Sequence, residues 1–110
     1  MSVTIQTDKS CLKTTAILHG DLDHHTAKYI RSKIDAAIRE NNTQKLIIDF
    51  ANVSFMDSSG LGLILGRYNK ATELGVKFTV RNPTPATMKI ISLAGGERIF
   101  DVTCDHIENE

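Results

Sequence analysis

The chain has 110 residues, 41% of them hydrophobic, which is enough for one domain with its own apolar core and too apolar for a disordered chain. Its 13 basic and 13 acidic residues cancel, which argues against a strongly basic nucleic-acid binder. No apolar run approaches the roughly 20 residues that span a bilayer, and residues 1–5 lack the plan of a signal peptide. We therefore expect one cytoplasmic domain, residues 1–110, that contacts neither membrane nor nucleic acid directly and whose Cys11 and Cys104 stay reduced.

Two strands and a helix are predicted at the start of the chain. The strands are expected at residues 3–7 and about 12–18, with Gly20 closing the second, and the two could pair as a hairpin. Asp23 is a natural N-cap for the helix, and the asparagines at 41–42 end it. The apolar face of this helix consists of Ala27, Ile30, Ile34, Ala37 and Ile38, which recur at helical spacing.

A buried strand and a second helix are predicted in the middle of the chain. Residues 44–50 are so apolar that both faces of this strand should be covered, which suits a central parallel strand. Residues 51–52 then turn, Val53 and Phe55 alternate inward, and the helix starts near Ser58. The expected core face of this helix consists of Leu61, Ile64, Leu65, Tyr68, Ala71 and Thr72, and its solvent face of Arg67, Lys70 and Glu73.

The last third of the chain continues the alternation. Gly75 lies where a glycine commonly ends a helix, and a strand is expected at residues 76–80. Thr84 and Pro85 are suited to the N-cap and first turn of a third helix. A short strand is expected at residues 99–102, and the tail that follows is polar and acidic. The apolar face predicted for the third helix consists of Ala86, Ile90, Leu93 and Ala94.

Strands that alternate with helices predict an α/β fold. We expect a single small domain with a mixed, mostly parallel β-sheet of 4–5 strands, about 3–4 helices and right-handed crossovers. In such sheets the functional loops gather beyond the carboxyl ends of the strands. The loops that contain Asp23 and Asp57 both connect a strand to a helix, so they could lie side by side at one end of the sheet.

An acidic residue and two adjacent hydroxyls stand at the start of the second helix. Asp57, Ser58 and Ser59 could be helix caps and nothing more, because Asp and Ser are common N-cap residues. Gly60 and Gly62 favour a further role, because each glycine costs about 1 kcal/mol against alanine inside a helix. Without side chains there, another molecule can approach the backbone closely. This helix end would then present free N–H groups and hydroxyls to a binding partner.

Other chemistries fit these residues less well. Ser58 as a nucleophile would need one of the histidines at 24–25 as its base, but no orienting carboxylate is identifiable, and Met56 replaces the first glycine of G-x-S-x-G. The glycines of this helix lack the spacing of a phosphate loop, and close helix packing explains Gly66 better. Asp23 and the histidines at 24–25 could suggest a metal site, but Asp23 as a helix cap beside two solvated imidazoles explains these residues better. We expect no catalytic residue, cofactor or metal.

Three stretches together resemble one family. Residues 54–62, Ser-Phe-Met-Asp-Ser-Ser-Gly-Leu-Gly, look like the signature of the STAS domain anti-anti-sigma factors, also called anti-sigma factor antagonists. Residues 20–27, Gly-Asp-Leu-Asp-His-His-Thr-Ala, are similar to that family's second loop apart from Asp21, where glutamate is usual. Residues 65–68, Leu-Gly-Arg-Tyr, resemble the sporulation branch, and the match covers nearly the whole chain in order and spacing.

The resemblance implies a STAS-like fold and a bacterial regulator that is not an enzyme. In that family the first serine after the aspartate, here Ser58, is phosphorylated by the partner anti-sigma factor, itself a serine kinase, and a serine phosphatase resets it. The unphosphorylated form binds the anti-sigma factor and frees the sporulation sigma factor. We expect partner contacts from Asp23, Met56, Asp57, Ser58, Ser59, Gly60, Leu61 and Gly62. The alternative is a STAS-type nucleotide or small-ligand binding module.

Overall fold

The computed structural model describes residues 2–105 and contains, within them, five strands and three α-helices. The strands are β1 (Ser2–Asp8), β2 (Lys13–Leu22), β3 (Lys45–Met56), β4 (Lys77–Arg81) and β5 (Asp101–Thr103). The helices are α1 (His24–Glu40), α2 (Ser58–Glu73) and α3 (Pro85–Leu93), and a short 3-10 turn, Gly96–Arg98, precedes β5. The predicted α/β class and the numbers of elements are confirmed, although the last strand begins later than expected.

The strands form one sheet in the order β1-β2-β3-β4-β5. The predicted hairpin of β1 and β2 is antiparallel, and all other neighbours are parallel. Each crossover leads to the next strand in the same direction, and right-handed crossovers then place all three helices on one face. The position of the core agrees with helices on one face, because the strand residues of the core all lie on the same side of the sheet. These residues are Ala16, Leu18, Leu46, Ile48, Phe50, Phe78 and Val80, and the helices add Ile30, Ile34, Ile38, Leu63, Ile64 and Ile91 among others.

The expectation that β3 is covered on both faces is confirmed at its centre, because residues 46–50 are all buried. The cover of the second face is not a helix, since the consecutive strand order leaves that face without one in the part of the chain that the structure describes. Side chains of the neighbouring strands lie there instead: Asp49 of β3 forms an ion pair with Arg81 of β4, with 2.7 Å between Oδ2 and Nε. At the N-terminal end of β3, Lys13, Lys45 and Lys77 lie in register across three strands.

Both β2 and β3 run further than their sequences predict. β2 continues past its predicted glycine end to Leu22, and β3 continues through residues 51–52, which were expected to turn, to Met56. The two strands support each other, because they stay paired up to Leu22 and Met56, with two register shifts that absorb the irregular residues as bulges. Val53 points into the core as predicted, but Phe55, also expected inward, is 54% exposed.

The predicted helix ends are confirmed at each helix where one was proposed. Asp23, Asp57 and Thr84 are the N-caps of α1, α2 and α3, and each accepts a hydrogen bond from a backbone N–H of the first turn. Asn42 follows α1 with φ 48° and Gly75 follows α2 with φ 72°, the left-handed conformation that commonly ends a helix.

The core face of α2 is shifted from the predicted one. Ile64 and Ala71 are buried as expected, whereas Thr72 is exposed and Leu61 is half-buried. Leu65 and Tyr68 pack against the edge of the core. Leu63 and Arg67 are also buried, and Arg67 had been assigned to the solvent face.

The apolar face predicted for α3 is wrong by about one position. The helix buries Thr87 and Ile91 instead. Burial of Thr87 is possible because the hydroxyl of the N-cap Thr84 accepts from its backbone N–H at 3.2 Å and donates to its hydroxyl oxygen at 3.0 Å. Of the residues predicted to be buried, Ile90 packs partly against the core, while Ala86, Leu93 and Ala94 are exposed.

Three further expectations concern parts of the chain away from the core. Among residues 2–105, no helix combines the length and the apolar character needed to cross a bilayer. Cys11 and Cys104 are both free thiols, as predicted. The polar, acidic tail predicted beyond Asp105 lies outside the described residues.

Candidate functional site

Helices α1 and α2 begin side by side at the carboxyl end of the parallel strands. Leu22 ends β2 and Met56 ends β3, and the two residues are partners in the sheet. The backbone N–H of Asp57 donates to the carbonyl oxygen of Leu22 at 3.3 Å. The prediction that the Asp23 and Asp57 loops adjoin is therefore confirmed, and two positive helix N-termini lie next to each other.

Asp23 is held in place as the cap of α1. Its Oδ1 accepts hydrogen bonds from the backbone N–H groups of His25 at 2.9 Å and Thr26 at 3.0 Å. The hydroxyl of Thr26 accepts in return from the Asp23 N–H at 2.9 Å, which completes a capping box. The hydrogen bond from the Thr26 N–H is the largest influence that lowers the pKa of Asp23 below its ordinary value. The carboxylate is thus a fixed negative charge at neutral pH.

The two serines at the start of α2 differ in surroundings. Oδ1 of Asp57 accepts from the backbone N–H of Ser59 at 2.8 Å, so Asp57 alone supplies the side-chain cap. Ser58 is the first helical residue and is exposed, and its hydroxyl makes no hydrogen bond to any residue from 2 to 105. Ser59 is half-buried and faces α1. The Ser58 hydroxyl is therefore the more accessible of the two.

Gly60 is required by the core rather than by a partner. A Cβ at this position would collide with Cγ of Met56, lie 2.6 Å from its Sδ and lie 3.1 Å from Cδ2 of Leu22. Both Met56 and Gly60 are buried where the two strand ends meet, and Met56 is only 6% exposed. Both residues are thus packed inside the free protein, and their contact with a partner stays a prediction.

The next two glycines of α2 have no packing reason. A Cβ at Gly62 or at Gly66 would meet no atom within 4 Å. The expectation that Gly66 serves close helix packing is therefore wrong. Gly62 is exposed and stays within the expected contact surface, together with the half-buried Leu61.

A groove of about 440 Å³ runs between α1 and α2. From the sequence, only the start of α2 was predicted as part of a binding surface. The lining residues of each helix recur at helical spacing, so aligning the groove-facing sides of α1 and α2 could have identified them. Its α1 wall adds positive charge next to the serines. The groove is lined by His24, Ala27, Lys28 and Arg31 from α1, and by Ser59, Gly62, Leu63, Gly66 and Arg67 from α2.

Arg67 is buried at the base of this groove, with 9% of its side chain exposed. Its Nε lies 3.0 Å from Oδ1 of Asp35 on α1, but the N–H does not point at the oxygen closely enough for a hydrogen bond. Its Nη1 is also buried and has no acceptor among residues 2–105. Burial lowers the pKa of Arg67, Asp35 opposes that shift and Arg31 adds to it. The guanidinium still stays charged at neutral pH.

Catalytic and metal-binding arrangements are not seen in the described chain. Within residues 2–105, neither His24 nor His25 bonds to Ser58, and no three His, Cys, Asp or Glu side chains converge as metal ligands would. The rings of the two histidines meet edge to face, with centroids 5.9 Å apart. What the site offers is an exposed hydroxyl, two fixed carboxylates and a cationic groove.

Comparisons with known proteins agree with the motifs and the fold. The family model of the STAS domain matches residues 3–110. The anti-sigma F factor antagonist of Lysinibacillus sphaericus is 39% identical over 87 residues, which cover 78% of this chain and 74% of the relative. The solved structure of the anti-sigma factor antagonist SpoIIAA in its unphosphorylated form is 30% identical, has a TM-score of 0.81, and covers 98% of this chain and 91% of its own. The Bacillus cell fate determinant SpoIIAA in its phosphorylated form is also 30% identical, with a TM-score of 0.76 and coverage of 98% and 95%. The family predicted from the motifs is confirmed: this chain belongs to the STAS domain family.

Proposed function

We propose that this protein is an anti-sigma factor antagonist that acts in the cytoplasm of a spore-forming bacterium and is switched by phosphorylation of Ser58. Its unphosphorylated form binds an anti-sigma factor that is also a serine kinase, and thereby releases the sporulation sigma factor. The kinase then phosphorylates Ser58, and a serine phosphatase restores the binding form. The function is supported by the names of its relatives, and the site by the geometry of α2.

The single observation that supports the switch best is the position of Ser58. Its hydroxyl is exposed on the first residue of α2, while the neighbouring Asp57 caps the helix and Ser59 is half-buried. A kinase can therefore reach the Ser58 oxygen without opening the fold. The proposed docking surface around it consists of Asp23, Asp57, Ser58, Ser59, Leu61 and Gly62.

A phosphate at this position affects the free protein and the complex differently. Phosphorylation adds about −1.5 to −2 charges, and the N–H groups and dipole of a helix N-terminus favour an anion. The free protein should therefore keep its fold. In the complex the same dianion would lie beside Asp57 and near Asp23 and would lose water, and an uncompensated buried charge costs several kcal/mol. At about 1.4 kcal/mol per tenfold, the affinity should fall by roughly two orders of magnitude or more.

Mapping the phosphate tests the site. The protein is incubated with ATP and the anti-sigma factor kinase of the same organism, and the product is analysed by mass spectrometry. We expect one phosphate, on Ser58, and we expect Ser59→Ala to be phosphorylated to the same extent as wild type. A phosphate mainly on Ser59, or a Ser58→Ala variant that is still phosphorylated, would contradict the proposal.

Titration calorimetry against the same kinase tests the switch. Ser58→Ala is expected to bind as wild type does, because the proposed switch depends on the charge of a phosphate and not on the hydroxyl. Ser58→Asp is expected to weaken binding less than true phosphorylation, because it carries one negative charge where phosphoserine carries nearly two. Equal affinities for wild type, Ser58→Asp and the phosphorylated protein would show that phosphate charge is not what separates the partners.

A further inference from the structure

We infer that the groove between α1 and α2 receives an acidic segment of the anti-sigma factor. Carboxylates of that segment pair with Lys28, Arg31 and Arg67, and its chain lies over Gly62 and Gly66. This inference rests on the proposed function and adds a second contact region to it, which extends from the helix starts along both helices.

The glycines of α2 indicate that another molecule approaches the groove closely. Gly60 has a structural reason, because a Cβ there would collide with Met56. Gly62 and Gly66 have none, since a Cβ at either position would meet no atom within 4 Å. Glycine is unfavourable in the interior of a helix, so these two positions carry a cost that the free protein does not need. One turn apart, they form a strip of bare backbone along the α2 wall of the groove.

The charges of the groove indicate the chemistry of that molecule. Lys28, Arg31 and Arg67 all line it, and among residues 2–105 only Arg67 of these three forms an ion pair, with Asp35. Arg67 is nine-tenths buried, and its Nη1 has no acceptor among residues 2–105. The whole chain has no net charge, so this positive region is local. A complementary partner surface is acidic, and such complementarity raises the rate and the specificity of association.

Charge-reversal variants of α1 test the inference by titration calorimetry against the anti-sigma factor kinase with ADP bound. Lys28→Glu and Arg31→Glu are each expected to weaken binding about tenfold or more. Lys33→Glu is the control, because Lys33 is exposed on the same helix, lies outside the groove and gives the same change in net charge. Arg31→Glu also replaces a positive neighbour of Arg67 with a negative one. Its unfolding temperature should not fall, so lost binding would not mean a lost fold.

Glycine variants of α2 test the close approach. Gly62→Ala and Gly66→Ala are expected to raise the unfolding temperature, because alanine favours the helix and its methyl group meets no atom in the free protein. Both are expected to weaken kinase binding, because the methyl group occupies space that the partner backbone needs. Thr72→Ala is the control, because Thr72 is exposed on another face of α2, and this change should stabilise the helix and leave binding unaltered.

The outcomes separate this inference from the proposed function. If wild type fails to bind the kinase, the proposed function itself is wrong. If wild type binds and is phosphorylated while the charge-reversal variants or Gly66→Ala bind equally well, only the groove inference is overturned. An equal loss of kinase affinity in Lys33→Glu would assign the effect to net charge and would also overturn the groove inference. A rise in unfolding temperature with GTP that Lys28→Glu removes, at unchanged kinase binding, would assign the groove to a nucleotide instead.

Discussion

Ser58 and Ser59 are consecutive residues of α2, and their side chains point in different directions. Successive residues of an α-helix point about 100° apart, so Ser58 faces solvent while Ser59 faces the groove and α1. Asp57 precedes both and fixes the first turn through the Ser59 N–H. The cap and the proposed modification thus fall on neighbouring residues, and a chemical change on Ser58 should leave the cap intact.

This division predicts different stabilities for two alanine variants. Ser58→Ala should change the free energy of unfolding by less than about 0.5 kcal/mol, because its hydroxyl is exposed and Asp57 still caps the helix. Asp57→Ala should cost about 1 kcal/mol, because an N–H of the first turn loses its acceptor. Urea unfolding of both variants measures the difference. A larger loss in Ser58→Ala than in Asp57→Ala would mean that the cap has been assigned to the wrong residue.

Asp23 makes stability depend on acid pH. Its folded pKa lies below the unfolded value near 3.8, so its contribution is fully present above that value and is lost as the pH falls through the lower folded pKa. Asp23→Asn keeps an acceptor for the cap but does not titrate. We expect wild type to lose stability relative to Asp23→Asn between about pH 5 and pH 2, and not between about pH 8 and pH 6. Asp8, whose pKa is lowered mainly by the Ser10 hydroxyl, titrates in both proteins and cancels.

At the scale of elements, an ion pair between the buried Arg67 and the half-buried Asp35 joins α2 to α1. Asp35→Ala should lower the free energy of unfolding by about 1–3 kcal/mol, because it leaves the guanidinium of Arg67 buried without its carboxylate. Glu73→Ala is the control, since Glu73 is an exposed carboxylate on α2 and should change stability by less than about 0.5 kcal/mol. Replacing both partners with apolar residues, as in Asp35→Leu with Arg67→Met, should restore most of the loss. Equal stability of Asp35→Ala and Glu73→Ala would show that the pair contributes nothing.

The elements themselves were predictable because their signals are local. Asp23, Thr84 and Gly75 mark helix ends by their own chemistry, and alternating strands and helices fix the fold class. Which face each element buries was less predictable, because it depends on neighbours far away in sequence. Thr87 is buried because a hydroxyl bond to the N-cap satisfies it, and hydrophobicity cannot show that.

The candidate site was predictable in part for the same reason. The accessible Ser58 and the adjoining Asp23 and Asp57 loops follow from motifs at the ends of strands, which the parallel pairing of β2 and β3 brings together. The burial of Arg67 was not predictable from its own helix, because Asp35, the carboxylate that offsets it, lies on α1. The sequence of α2 also does not show which of its glycines has room for a side chain. A Cβ at Gly60 would meet Met56 at the end of β3, whereas a Cβ at Gly62 would meet no atom within 4 Å.

At the scale of the whole molecule, the two ends of the sheet differ in what they carry. The carboxyl end of β2 and β3 leads into both helix starts, and thus into the serines and the groove. The opposite end begins β2, β3 and β4 with a lysine each, and Lys13, Lys45 and Lys77 are partners in register. Asp8 of β1 pairs with Lys13, so one outer lysine has an acidic neighbour, whereas Lys45 lies between two lysines. Repulsion between these like charges should lower the free energy of unfolding at this end of the sheet.

The last prediction uses that row to separate stability from binding. Lys45→Glu replaces the middle of three like charges with an opposite one, and we expect the free energy of unfolding to rise by about 0.2–1 kcal/mol. The gain should shrink at about 1 M salt, because the three side chains lie near the surface and salt screens such charges. Affinity for the anti-sigma factor kinase should not change, although the net charge changes as much as in Lys28→Glu. Urea unfolding at low and high salt and calorimetry on the same sample measure both effects, and a clear loss of affinity would mean that the partner surface reaches the far end of the sheet.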